Sequence, residues 1–200
     1  MADSKGPTRT AMREQRRRLS PQLQTSAARK LARHLGRQLC FRRARRIAFY
    51  LPNDGEIDPG PLLRLAVAAG KTTLLPVLDP QRPGILSFVP WLPGQPLYPN
   101  RYGIPEPAYN RARRLQPWLL DLVCLPLVAF DPSGNRLGMG GGFYDRTFAP
   151  LRASGRRRPL LVGLAHQFQH CDALPADPWD IPLNAIATDT GVTFFPRTTP

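Results

Sequence analysis

Two hundred residues suit one large domain, and 42% hydrophobic against 21% charged residues exclude a disordered chain. Net charge is +14, but residues 1–50 hold 14 Lys/Arg against 2 Asp/Glu, so +12 of it sits at one end, a distribution that attracts phosphates or polyanions. Three isolated cysteines (Cys40, Cys124 and Cys171) exclude a disulfide framework and a zinc site, and no run of about 18 apolar residues could cross a membrane, which together predict a soluble cytoplasmic protein.

Residues 1–20 read as a basic arm or helix. The stretch SPQLQTSAARKLARHLGRQL reads as a helix, with Ser20 placed to cap it and Pro21 suited to its first position. Leu23, Ala27, Leu31, Leu35 and Leu39 recur every four residues as one apolar stripe. RIAFYL (46–51) reads as a short buried strand, followed by a turn at Asn53, Asp54 and Gly55. PGPLLRLAVAAG (59–70) is a helix that Gly70 stops. TTLLPVL and ILSFVPW (85–91) are further strands, the second kept near a sheet edge by its proline. The prolines crowded between Pro76 and Pro107 predict long ordered loops. DLVCLPLVAF (121–130) is apolar nearly throughout, as in a strand covered on both faces. FYDRTFAPLR begins a helix, PLLVGLAH (159–166) is another buried strand, and AIATDTGVTFF (185–195) closes the chain with strand-forming residues. Strands alternating with helices predict a single three-layer α/β domain, residues 1–200, with a mostly parallel sheet covered by helices.

The stretch DPSGNRLGMGGGFYDRTF joins the end of an apolar strand to the start of a helix. In open α/β sheets, ligands bind beyond the carboxyl ends of strands. Gly134, Gly138, Gly140, Gly141 and Gly142 let backbone N–H groups approach an anion closely. Arg136 offers a two-pronged contact to phosphate, and Asp145 is an oxygen ligand of the kind Mg²⁺ takes beside substrate phosphates. No GK[ST] follows, so this is not a P-loop, and Phe143 stands where a dinucleotide fingerprint needs its third glycine. A generic glycine-rich turn fits the same composition. His34, His166 and His170 lack the spacing of a metal set and read as structural or surface residues, as do Cys124 in its buried strand and Asp180 in a loop.

PLVAFDPSGNRLGMGGGFYDR resembles the signature of the 5-formyltetrahydrofolate cyclo-ligase family, also called 5,10-methenyltetrahydrofolate synthetase. IAFYLPNDGEID, GKTTLLPVL, YGIPEP and VGLAHQFQ with LPADPWDIPLNAIAT extend the resemblance, in order, over nearly the whole chain. It implies a single α/β domain that converts 5-formyltetrahydrofolate to 5,10-methenyltetrahydrofolate using ATP and Mg²⁺. By this resemblance Gly134, Asn135, Arg136, Leu137, Gly138, Met139, Gly140, Gly141, Gly142, Phe143 and Tyr144 form the ATP and formyl-phosphate site. Arg136 and Tyr144 take catalytic roles and Asp145 holds Mg²⁺. Glu56 is similar to the family's pterin-contacting carboxylate, with Leu51 in the same pocket and Tyr102 stacked on the folate beside Ile104. Core packing is the alternative role for Leu51 and Tyr144, and a surface turn that for Glu56.

The family's N-terminal phosphate-binding pair falls on Lys5 and Arg9, although Gly6 and Pro7 between them would disturb a helix, or on Arg9 and Arg13. Arg16, Arg17 and Arg18 match a further basic position, or are simply solvated. The expected partner is the folate, with or without a polyglutamate tail, bound by a monomer. The concentrated charge also fits a basic nucleic-acid-binding α/β protein, although no RNA-binding signature accompanies it.

Overall fold

The computed structural model describes residues 5–153 and 159–196. Its centre is a seven-stranded sheet built from β1 (Arg46–Ala48), β2 (Thr72–Leu78), β3 (Leu86–Pro90), β6 (Leu122–Pro126), β9 (Leu160–Leu164), β10 (Ala185–Ala187) and β11 (Val192–Phe194). The order across the sheet is β11-β10-β9-β6-β1-β2-β3. The five central strands run parallel, and each edge strand is antiparallel to its neighbour. The stretch 185–195 is therefore a hairpin, not one strand, because Asp189 to Gly191 reverse the chain. The strand 85–91 lies at an edge, as its proline requires.

Both faces of the sheet are apolar, which explains why its central strands lack polar alternation. Ile47, Leu75, Cys124, Val162, Ala185 and Ala187 pack on one side beneath α2 (Pro21–Gly36), α3 (Leu39–Arg43) and α4 (Gly60–Ala68). Their neighbours Ala48, Leu74, Val123, Leu125, Leu161 and Ile186 face the other side, where Phe148 of α5 (Phe143–Ala153) covers them. Ser20 caps α2 by accepting the Leu23 N–H at 3.3 Å, with Pro21 in the first turn. The stripe of every-fourth residues on α2 is buried only in its middle. Ala27, Leu31 and Leu35 are inside, while Leu23 and Leu39 are 58% and 59% exposed. A four-residue step overshoots the helical repeat, so a long stripe drifts off the packed face, and α2 has ended before Leu39 begins α3.

The N-terminal segment corrects the sequence reading. Gly6 and Pro7 open α1 (Gly6–Arg17) instead of disturbing it, because a proline in the first turn gives up only an N–H that has no helical partner there. The apolar run 121–130 also divides. Past Pro126 it leaves the main sheet as β7 (Ala129–Phe130), which pairs with β8 (Arg136–Leu137) in a small hairpin. A second small ribbon, β4 (Tyr98–Pro99) with β5 (Pro105–Glu106), orders the proline-rich middle.

At the centre of β9, a Cβ on Gly163 would lie 2.6 Å from Leu127, 2.7 Å from Leu183 and 2.8 Å from Ile186. Gly163→Ala is expected to destabilise the protein by about 1–3 kcal/mol through overpacking, measured by denaturant unfolding against Gly191→Ala, whose Cβ would enter open space.

Candidate active site

The chain leaves β1, passes to β2 on one side, and later returns to β6 on the other. β1 is thus the strand where the winding reverses, and a crevice opens beyond the carboxyl ends there. A cleft of about 890 Å³ occupies this place. Tyr50, Leu51, Asn53, Asp54 and Glu56 from the segment after β1 line it, with Leu78 at the end of β2 and Pro126 and Leu127 at the end of β6. Residues 138–142, the start of α5, Tyr102, and the Asp177 to Asp180 turn complete its walls.

Helix α1 is fastened across this region by a single carboxylate. Asp54 Oδ2 accepts from Arg13 Nε at 2.7 Å and from Arg16 NH2 at 3.0 Å, and Oδ1 accepts from Arg17. Asp54 adopts positive φ (52°) in the expected turn. Gly55 follows at φ 75°, and a Cβ on it would press 3.0 Å from the Arg16 backbone. Arg16 is only 1% exposed and also donates to Leu127 O at 3.0 Å, so it is neither solvated nor a phosphate ligand. Burial pushes the Asp54 carboxyl up, but Arg13, Arg17 and Arg16 outweigh it and hold it below the usual carboxylate range. Arg13 therefore stands outside the cleft lining, because its guanidinium serves the turn. Lys5 and Arg9 do line the cleft. Lys5 Nζ sits 2.7 Å from Asp177 and 3.0 Å from Asp180, and Arg9 Nε donates to Gly138 O at 3.0 Å.

The expected glycine loop is two structures. Gly134 and Asn135 belong to the β7–β8 turn, organised by buried Asp131, which accepts from the N–H groups of Ser133, Asn135 and Leu174 and from the Asn135 amide. A Cβ on Gly134 would meet Phe195 at 3.0 Å and Leu183 O at 3.1 Å. Neither Gly134 nor Asn135 reaches the cleft, since this turn packs against the sheet. Arg136, Leu137, Gly138, Met139, Gly140, Gly141, Gly142, Phe143, Tyr144 and Asp145 all line it. Arg146, itself part of the cleft lining, pins the loop by donating to Gly141 O and to Gly84 O, with its guanidinium 5.4 Å over the Phe143 ring. Thr147 bonds Phe143 O and the Leu86 N–H, tying the first turn of α5 to β3.

Arg136 is fixed by donating to Ile181 O and to Asp145 Oδ1, the latter at 2.6 Å. Asp145 Oδ1 also accepts the Ile181 N–H at 3.1 Å, so both of these bonds fall on one carboxylate oxygen. No group of three or more His, Cys, Asp or Glu among the described residues is arranged to hold a metal ion. Mg²⁺ suits this region only in the manner of a lone carboxylate working with substrate phosphates, for which the second Asp145 oxygen is available.

Glu56 faces the cleft from the other wall. It accepts the Asn53 N–H at 3.1 Å, and burial raises its carboxyl to about 7. Tyr50 beside it donates to Ile57 O at 2.7 Å. Burial, then the Glu56 charge, keeps the Tyr144 hydroxyl protonated well above its usual range. Tyr144 stacks on Phe148, and Tyr102 meets Phe143 edge-on at 5.8 Å. Leu51, Glu56, Tyr102, Tyr144 and Arg136 are thus gathered in one cleft from segments up to 93 residues apart in sequence. Sequence reasoning missed Asp177 and Trp179 as cleft residues and placed Asp180 only as a loop cap. The sole signal for them was the DPWD run. His166 is buried, stacked on Phe168, and held neutral by burial at about 4, a structural residue as expected. No helix among the described residues is long and apolar enough to cross a membrane.

A doubly wound α/β sheet with a cation-bearing, glycine-lined cleft at its winding reversal defines a small-ligand enzyme fold. Comparison with known proteins makes this specific. The model of the 5-formyltetrahydrofolate cyclo-ligase family matches residues 1–189. The chain is 41% identical to a 5-formyltetrahydrofolate cyclo-ligase of Haemophilus influenzae over 88% of this chain and 92% of that one. It is 40% identical to the Escherichia coli K12 enzyme of the same name over 90% and 98%. Among solved structures, the 5,10-methenyltetrahydrofolate synthetase of Aquifex aeolicus superposes with a TM-score of 0.79 at 30% identity, covering 98% of this chain and 95% of that one. The chain belongs to the 5-formyltetrahydrofolate cyclo-ligase family and is an enzyme.

Removing the Asp54 carboxylate would leave Arg16 buried and uncompensated. Asp54→Ala is expected to lower stability by about 3 kcal/mol, read from denaturant unfolding. Glu56 gives a pH signature. Its raised value means that the folded state keeps a proton the unfolded chain has released, so stability should fall as pH rises from 4.5 to about 7. Glu56→Gln should flatten that fall, measured by unfolding at a series of pH values.

Proposed function

We propose that this chain catalyses the ATP-dependent closure of 5-formyltetrahydrofolate to 5,10-methenyltetrahydrofolate, releasing ADP and phosphate. The observation that carries this reading is that one cleft holds two kinds of lining. Lys5, Arg9, Arg136 and the 138–142 backbone supply cations and N–H donors, and Glu56, Leu51 and Tyr102 supply a carboxylate among apolar groups. The relatives named as 5-formyltetrahydrofolate cyclo-ligases support the substrate.

The chemistry needs both kinds of group. A formamide oxygen is a poor leaving group. Its attack on the γ-phosphorus breaks the bond to ADP and yields an iminium phosphate at N5. The N10 nitrogen then adds to the formyl carbon and loses its proton, and the C–O bond breaks to release phosphate and form the methenyl bridge. Such a reaction depends on positioning and charge neutralisation more than on a nucleophilic side chain. Arg136, oriented by Asp145 and Ile181 O, stands ready to follow charge on the transferring group. Lys5, held by Asp177 and Asp180, has a hydrogen-bonding alternative in the phosphates. Glu56, poised near neutrality by burial, accepts from the donor N–H groups of the pterin. The Tyr144 hydroxyl remains a donor beside the reacting groups. Mg²⁺ bound by Asp145 together with the phosphates would neutralise charge on the triphosphate. The working unit in this reading is a monomer, and the open cleft leaves a polyglutamate tail room to extend outwards.

Purified protein with ATP, Mg²⁺ and 5-formyltetrahydrofolate should generate the absorbance of the methenyl product with equal ADP and phosphate. Product formation without ATP, or none with it, would sink the proposal. Arg136→Ala should lower kcat by about 100-fold or more with unfolding unchanged within about 1 kcal/mol, and Asp145→Asn should raise the Mg²⁺ concentration for half-maximal rate.

A further inference from the structure

One indole of the cleft lining stands largely open to solvent. Trp179 is 68% exposed, the most exposed of the large hydrophobic side chains, yet it lines the cleft. Tryptophan is ordinarily well covered in folded proteins. Among the described residues it has no aromatic or cation partner, whereas Tyr102, Phe143, Tyr144 and Phe148 all do.

Its backbone is rigidly presented. Residues 177–180 form a closed turn in which the Asp180 N–H bonds Asp177 O at 3.0 Å and the Asp177 N–H bonds Asp180 Oδ2 at 2.9 Å. Pro178 occupies the second turn position, which its fixed φ suits, and Trp179 the third. The carboxylates at both ends of the turn grip Lys5 Nζ. The indole is therefore anchored next to Lys5, one of the cations that line the cleft. Met139, from the glycine loop, adds a second exposed apolar side chain to the same cleft. Lys5 bonds Asp177 and Asp180 and Arg136 bonds Ile181 O, so a triphosphate held by both cations would lie beside this turn with its base in reach of the indole.

We infer that Trp179 is the stacking platform for the nucleotide's purine base, and so a positioning residue for ATP. This rests on the ATP-dependent reading above. Base-on-aromatic stacking is tolerant of base identity, since every base has a π-face, so the platform would supply affinity more than discrimination between purines.

Full-length wild type, Trp179→Phe, Trp179→Ala and Trp118→Phe are compared, the last because Trp118 lies outside the cleft lining. ADP should quench tryptophan fluorescence in wild type and Trp118→Phe, and the quench should vanish in Trp179→Phe. Trp179→Ala should raise KM for ATP about 5- to 100-fold while KM for 5-formyltetrahydrofolate moves less than about twofold. Trp179→Phe should restore most of the loss, and inorganic tripolyphosphate, which has no base, should inhibit wild type and Trp179→Ala equally. A quench that persists in Trp179→Phe, or an unchanged KM for ATP in Trp179→Ala, overturns the inference. Wild-type turnover that ignores ATP overturns instead the reading on which it rests.

Discussion

The contact on which the functional end of this molecule depends is the meeting of Asp54 with Arg13, Arg16 and Arg17. One carboxylate in a left-handed turn after β1 collects three guanidinium groups from one helix. Exposed ion pairs contribute little, but Arg16 is buried, and a buried cation without its partner is strongly destabilising. The pairing therefore dictates where α1 lies. Because α1 starts at Gly6, fixing its far end also fixes where Lys5 and Arg9 enter the cleft. The same interaction changes what the N-terminal charge does. Three arginines of the segment that looks like a polyanion-binding arm instead hold a helix on a turn, and one of them, Arg16, is buried.

A second set of supports determines the opposite wall. The hairpin of β7 and β8 leaves the sheet just past Pro126 and returns Arg136 to the cleft. Buried Asp131 closes the hairpin turn, and Arg146 and Thr147 clamp the loop and the first turn of α5 to the β3 side. The glycine segment is thus short and held at both ends. Preorganisation of this kind matters for phosphoryl transfer, where the protein contributes geometry and fixed charge more than covalent chemistry.

Much of this was legible in the chain. Continuous apolar strands bounded by Gly and Pro reported a sheet buried on both faces, and strands alternating with helices reported parallel pairing. The spacing of glycines, Arg136 and Asp145 between a strand and a helix marked a segment that the structure brings to the cleft. Elements were misplaced where a local rule met a competing constraint. Gly6 and Pro7 looked like a break because the rule against proline applies to helix interiors, and here they are the helix start. Gly134 looked like part of the phosphate loop because composition cannot distinguish a glycine that approaches a ligand from one that makes room for Phe195.

What the sequence by itself determined was the set of chemical groups and the periodicities that assign each to strand, helix or turn, since these follow from local backbone sterics and from burial of apolar side chains. What only the tertiary structure decided was which charges meet. Arg9 and Arg13 are alike in sequence, four residues apart on one helix, yet Arg9 lines the cleft and Arg13 is turned to Asp54. Glu56 and Trp179 owe their surroundings to the fold. Glu56 acquires its raised carboxyl only when the fold removes it from water, and Trp179 its place only when its turn closes on Lys5. Desolvation and charge pairing act through space, between segments that the order of residues leaves far apart.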